Sequence, residues 1–236
     1  MRYKFSINTI SLLIILLFFS NRIEAQEDPA LRYLNNPAYK LQIEMYDIYK
    51  TRQANIVMLG NSLTNGANWN ELLGRSSVAE RGIPSDILQG FSARMNYIYK
   101  LNPKIVFICG GLNDIYNWIP TEEVYAEYIS IINKLKSKNI IPVIQTTTYS
   151  AKTWAKDWGG TPEVNAGRNR EVDKLNKMLF DFAKKNNIDI IDLNGKTAGI
   201  DRFLRPELTW DGLHFNARGY KIWALEVEKV LSKYKL

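Results

Sequence analysis

Apolar residues in this chain gather into short unbroken runs, separated by longer stretches with helical spacing. Ile56 to Leu59 has no polar interruption, which predicts a strand covered on both faces. Lys104 to Cys109 continues past its lysine as Ile-Val-Phe-Ile-Cys and predicts a second. Ile140 to Thr146 and Ile188 to Leu193 predict two more, the first with its proline near the start, where a strand tolerates one. A short piece at Val78 to Glu80 is expected to pair with them. Helical spacing marks Trp69 to Leu73, Ser85 to Leu101, Thr121 to Lys138, Arg168 to Lys185 and Ala217 to Tyr234.

Two of these helices carry start signals. Ser85-Asp86 precedes the apolar positions Ile87, Leu88 and Phe91, and Thr121-Glu122-Glu123 puts acids in a first turn. Alternating strands and helices with continuously apolar strands predict an α/β domain, a parallel sheet with helices on both faces. Ligands of such sheets sit beyond the carboxyl ends of the strands. Ser62, Gly82 and Asn113 each follow a predicted strand, and His214 lies just before the last helix, so these residues are expected on one rim.

Composition trims the chain and the choices. Arg2 and Lys4, the apolar stretch Ile10 to Phe19, then Ala25 before polar Gln26-Glu27-Asp28 read as an export signal over residues 1–25, leaving 26–236 as one domain. A lasting membrane span is not expected, since that takes about 20 apolar residues. The expected location is periplasmic or extracellular. The net charge is +7, of which residues 1–25 contribute +2 and the remainder +5. Lysines as in Lys134-Leu135-Lys136-Ser137-Lys138 read as a solvated helix face, and no basic stripe interleaved with aromatics predicts nucleic-acid binding. The single cysteine, Cys109, allows no internal disulfide and lies in an apolar run as a buried thiol. One histidine, one cysteine and scattered acids make no metal site, and no glycine-rich nucleotide fingerprint follows a strand, so no cofactor is expected. The sequence leaves the oligomeric state open.

The lone histidine is the candidate for chemistry. His214 stands three residues after an acid in Asp211-Gly212-Leu213-His214, and Ser62 follows the first strand in Gly60-Asn61-Ser62. A hydroxyl nucleophile needs a base near neutrality, and that base needs a partner that fixes its tautomer. Ser62, His214 and Asp211 supply the three roles. Gly60-Asn61-Ser62-Leu63-Thr64 is not the Gly-x-Ser-x-Gly elbow, because Thr64 stands where the second glycine belongs.

Three further segments complete a pattern: Arg81-Gly82-Ile83, Gly110-Gly111-Leu112-Asn113-Asp114 and Asp211-Gly212-Leu213-His214. With the Ser62 segment, in this order and spacing, they resemble the SGNH hydrolase superfamily, the GDSL-like esterases and lipases. The resemblance implies a three-layer α/β/α sandwich with a flavodoxin-like parallel sheet. It implies Ser62 as nucleophile, His214 as base and Asp211 as its orienting acid. The N–H groups of Ser62 and Gly82 with the Asn113 side-chain amide would form the oxyanion hole. One position departs: Asn61 stands where the family usually has aspartate, but its side chain is still expected to hydrogen-bond to local backbone and hold the turn, leaving the reaction type unchanged. Asp86 and Asp114 read as acids at helix starts, and Arg81 as an ion-pair partner or a binding residue.

The segment Tyr149 to Pro162, with Trp154, Trp158 and paired glycines, follows a strand and is expected on the same rim. Trp118 follows the Asn113 segment, Trp210 stands beside Asp211 and Asn117 is a further polar candidate; with Trp154 and Trp158 these are the candidate substrate contacts. The reading that follows is an exported serine esterase acting on short acyl esters, acetyl above all, carried on carbohydrate, with a small-molecule or oligosaccharide ester as the expected substrate. A lipid acyl hydrolase of lysophospholipase or thioesterase type, an acyltransferase, and a non-catalytic carbohydrate-binding protein on the same scaffold stand as alternatives.

Overall fold

The computed structural model describes residues 29–236. The expected signal segment lies outside them. The chain divides into two units, Met1–Arg32 and Tyr33–Leu236, and the second carries the sheet.

Five parallel strands, β1 (Ile56–Gly60), β2 (Val78–Gly82), β3 (Ile105–Cys109), β4 (Ile141–Gln145) and β5 (Asp189–Ile191), pair in the order β2-β1-β3-β4-β5. This is the flavodoxin-like order, whose switch point lies between β1 and β3. Gly60 pairs with Gly82 on one side and Cys109 on the other, so β1, β2 and β3 end level with one another. The segments carrying Ser62, Ser85 and Asn113 therefore leave the sheet side by side. Every residue of β1 and of β3 is buried, as their unbroken apolar runs require. The nitrogen of Pro142 points away from β3, toward a side where pairing with β5 begins only at Val143, so no ladder bond is lost there.

The helices are α1 (Pro37–Ile48), α2 (Ser62–Asn65), α3 (Trp69–Leu72), α4 (Leu88–Ala93), α5 (Met95–Tyr99), α6 (Leu112–Tyr116), α7 (Thr121–Lys136), α8 (Pro162–Asn186), α9 (Leu193–Thr197) and α10 (Ala217–Tyr234). With the sheet they make the expected three-layer sandwich. The largest fully buried side chains include Trp69, Trp223, Tyr128 and Phe107.

Three elements depart from expectation. The single helix predicted over Ser85–Leu101 is two short helices broken at Arg94, and Ser85 does not cap it. Ser85 instead sits in a turn closed by Asp86 N–H donating to Ile83 O, with φ 60. Asp86 is not a helix-start acid: it is buried and accepts from Arg94 Nε at 3.0 Å and Nη2 at 2.8 Å. Arg94 also donates to Gly60 O and Arg81 O, each at 3.0 Å. That wholly buried guanidinium fixes where the helix must break. Helix α8 starts at Pro162 rather than Arg168, since Thr161 Oγ1 accepts from Val164 N at 3.3 Å and Pro162 takes the first helical position. Helix α1, which the sequence reading passes over, sends Tyr46 Oη to Gly82 O at 3.1 Å, and its capping Asn36 donates to Pro84 O at 2.8 Å.

Candidate active site

Ser62 opens α2 directly after β1. Asn61 caps that helix, its Oδ1 accepting from Leu63 N at 3.0 Å, so the residue that departs from the family pattern holds the turn as expected. The turn is so tight that a Cβ on Gly60 would lie 1.9 Å from Thr64 Oγ1.

His214 reaches the same point from the opposite end of the chain. Its Nε2 lies 2.9 Å from Ser62 Oγ, and its Nδ1 lies 2.6 Å from Asp211 Oδ2. The short Asp-x-x-His segment builds this by itself. Asp211 Oδ1 accepts from Leu213 N and His214 N, each at 2.8 Å, and Gly212 takes φ 98 to close the loop. Thr209 Oγ1 accepts from Gly212 N at 2.9 Å and donates to His214 O at 2.7 Å. Partial burial pushes the Asp211 carboxyl up, but the bonds from the His214 ring and the two backbone N–H groups outweigh it and hold the group below its ordinary value. Asp211 therefore stays ionised beside the imidazole.

Asn113 lies in the first turn of α6, entered through Gly111 at φ 100. One N–H of its side-chain amide donates to Asp86 O at 2.9 Å, which anchors it to the Ile83–Asp86 turn and leaves the second N–H. Gly82 does not fill the expected role. Its N–H donates to the Glu80 carboxyl, which also takes a bond from the Asn65 side chain, and its carbonyl accepts from Tyr46. The backbone group left on this rim is the N–H of Ser85, which carries no hydrogen bond to another described residue. Pro84 and Ser85 form the corners of the turn, and φ 60 at the second corner is the conformation of a type II turn. The Pro-Ser pair was the signal; a helix-cap reading of the same serine hid it.

The remaining candidates separate. Trp154 meets the His214 ring edge-on at 5.9 Å between centroids, and Trp210 stacks on it at 5.8 Å. With Trp158 they line a cavity of about 650 Å³ that opens beside His214. Asn117 instead donates to Asn113 O at 2.8 Å, closing α6, and Trp118 lines a different cavity. Arg81 is neither ion-paired nor at the site: its guanidinium stacks on Tyr46 at 4.9 Å and donates to Glu80 O. Asp114 does stand in the first turn of its helix, accepting from Leu88 N at 3.0 Å, and burial pushes its carboxyl up to about 7. Burial likewise pushes the Cys109 thiol up to about 12. Among the described residues no group of three or more His, Cys, Asp or Glu side chains is placed to hold a metal, and no helix is long and apolar enough to cross a membrane.

Residues 58–222 match the profile of the GDSL-like Lipase/Acylhydrolase family. The chain belongs to that family. A GDSL-like acylhydrolase hydrolyses ester bonds, and the Ser62–His214 geometry is compatible with that chemistry. The fold of this GDSL-like chain is that of a GDSL-like lipase from Bacteroides thetaiotaomicron, with a TM-score of 0.70 at 20% identity over 83% of this chain and 98% of that one. An acetylxylan esterase from Geobacillus stearothermophilus shares it at a TM-score of 0.60 and 17% identity, over 76% of this chain and 95% of the other. Among curated proteins, an N-acylneuraminate cytidylyltransferase of Streptococcus agalactiae is 25% identical over 199 residues, 84% of this chain. The GDSL-like chain spans only 41% of that relative's length.

Proposed function

We propose that this GDSL-like protein is an exported serine esterase that removes short acyl groups, acetyl above all, from carbohydrate. The observation that carries the reading is the unbroken line from Ser62 Oγ through His214 to Asp211, at 2.9 and 2.6 Å. In the reaction, His214 Nε2 takes the Ser62 proton as Oγ attacks the ester carbonyl carbon. The carbonyl electrons move onto oxygen, and that oxyanion meets the N–H groups of Ser62 and Ser85 and the second amide N–H of Asn113. Fixed donors of this kind stabilise the transition state more than the ester, at about 3–4 kcal/mol for one of them. Collapse expels the alcohol, which takes the proton from His214, and leaves Ser62 acylated. Water then repeats the attack with His214 as base, releasing the carboxylic acid.

The alcohol must leave on the His214 side, because that residue protonates it. The 650 Å³ cavity walled by Trp154, Trp158 and Trp210 lies there. Its size suits a drug-sized or sugar-sized group, and indole faces stack well on sugar rings. A fold shared with an acetylxylan esterase, and relatives named for N-acylneuraminate, also favour a carbohydrate alcohol. The basic, apolar and small-residue order of residues 1–25 supports export.

The test compares wild type with Ser62→Ala on p-nitrophenyl esters from acetate to octanoate. Hydrolysis of acetate that declines with chain length and is lost in the variant is the expected result. A maximum at octanoate would move the reading to a lysophospholipase or thioesterase type. Equal rates for wild type and variant on every ester would leave a non-catalytic binding protein.

A further inference from the structure

Trp118 stands apart from the three tryptophans near His214. It follows α6 at φ 59, the left-handed conformation in which many helices end. That conformation belongs to the closing turn of α6, where Trp118 N–H donates to Ile115 O at 3.2 Å and Ile119 N–H to Asp114 O at 3.1 Å, and it leaves the side chain 79% exposed. What holds the indole is Arg168, whose guanidinium carbon lies 3.1 Å from the ring centroid. Arg168 is itself 6% exposed, donates to Ile115 O at 2.8 Å, and has an Nε with no hydrogen-bond partner. A guanidinium taken out of water is drawn to the negative face of an indole, so the contact keeps the ring in one orientation. The pair presents a ring pinned on one face by the guanidinium, with most of its surface left in water.

Trp118 and Arg168 are part of the wall of a cavity of about 450 Å³. Ile119 and Val164 add apolar surface, and Glu163, Arg170 and Glu171 add polar groups of both signs. Gly167 also lines it, and a Cβ there would meet only the Arg170 guanidinium, at 3.6 Å. A lipid tail is disfavoured by the charged wall, and a strongly anionic ligand by the two glutamates. A fixed indole with carboxylates and a guanidinium around it matches a pyranose, whose C–H face stacks while its hydroxyls both donate and accept.

This cavity and the one beside His214 share a scaffold. Helix α6 carries Asn113 in its first turn and Trp118 just past its end. Between the α8 residues that wall the second cavity, Asn165 donates to Ala151 O and Trp154 O, at 3.2 and 3.0 Å, and both of those residues line the first. We propose that the Trp118 cavity is a second sugar-binding site, which holds another unit of a polysaccharide whose ester enters at Ser62. The choice of a polysaccharide rests on the carbohydrate reading above; the binding test does not depend on turnover.

Full-length protein would be titrated calorimetrically with xylohexaose, cellohexaose and chitohexaose. The expected result is binding of at least one, weakened about tenfold by Trp118→Ala and largely restored by Trp118→Tyr, which keeps a ring. An unaltered circular dichroism melt for Trp118→Ala would show that the loss is local. Binding lost in Trp210→Ala but untouched in Trp118→Ala would overturn the second site while leaving the active-site reading standing. Absence of binding to all three sugars would overturn it as well. Hydrolysis of p-nitrophenyl acetate, measured on the same wild-type sample, judges the esterase reading separately.

Discussion

Asp211 holds His214 at two points: Oδ1 accepts the backbone N–H of His214 at 2.8 Å, and Oδ2 meets the ring Nδ1 at 2.6 Å. One carboxylate thus sets both the path of the chain and the tautomer of the base. The geometry is local: Gly212 turns the chain between the acid and the base, and Thr209 ties the turn at Gly212 N and His214 O.

Asp211→Asn separates those two functions. An amide oxygen can still accept from the backbone, but the amide cannot hold an imidazolium, and the ring can adopt the wrong tautomer. The expected loss in kcat is about 10⁴-fold, with little change in KM or melting temperature. A kcat within tenfold of wild type would remove Asp211 from the mechanism.

Ser85→Gly tests the donor assigned to the turn. Glycine adopts φ near 60° without a Cβ penalty, so this variant is expected to be more stable by about 1 kcal/mol. The backbone N–H is unchanged, and kcat on p-nitrophenyl acetate should stay within a few-fold. A large fall in kcat in a stable variant would mean that the Ser85 hydroxyl, not its N–H, matters.

Glu80→Gln makes a pH prediction. Burial pushes the Glu80 carboxyl up to about 7, against the hydrogen bonds and the arginines that pull it down. A carboxyl with a raised folded-state pKa favours folding below its unfolded value, and that advantage declines as pH rises toward 7. Glutamine stays neutral and accepts the same Gly82 N–H. Urea unfolding at pH 5 and pH 8 should therefore show the variant gaining on wild type by on the order of 3 kcal/mol between the two. A pH-independent difference would mean that Glu80 ionises in the fold as it does in water.

The sheet was legible because Ile56–Gly60 and Ile105–Cys109 are buried at every position, and continuous burial writes itself as a continuous apolar run. The Ser62–His214–Asp211 line was legible because two of its members are close in sequence and there is only one histidine. What failed depended on long-range pairing. Ser85-Asp86 reads locally as a cap and a first-turn acid, and only the buried Arg94 turns it into a strained corner and an ion pair. Gly82 carries a backbone N–H like any glycine, and nothing local says that the side chain two residues before it takes that group. Trp118 sits close to Asn113 in sequence, but the turn after α6 and its contact with Arg168 place it in another cavity. Thr161-Pro162-Glu163 was a readable helix start, outweighed by the glycines just before it.

Arg94 touches no proposed reacting group, yet its guanidinium binds the carbonyl of Gly60 at the end of the strand that leads to Ser62, the carbonyl of Arg81 on the neighbouring strand, and the carboxylate of Asp86. Asp86 in turn holds the Asn113 amide through its carbonyl. Nucleophile turn, Ser85 turn and Asn113 thus hang from a single knot in the dry interior, and none can drift without disturbing the others. Hydrogen exchange across these three segments should then proceed as one event, so that the rim either keeps its shape or loses it whole.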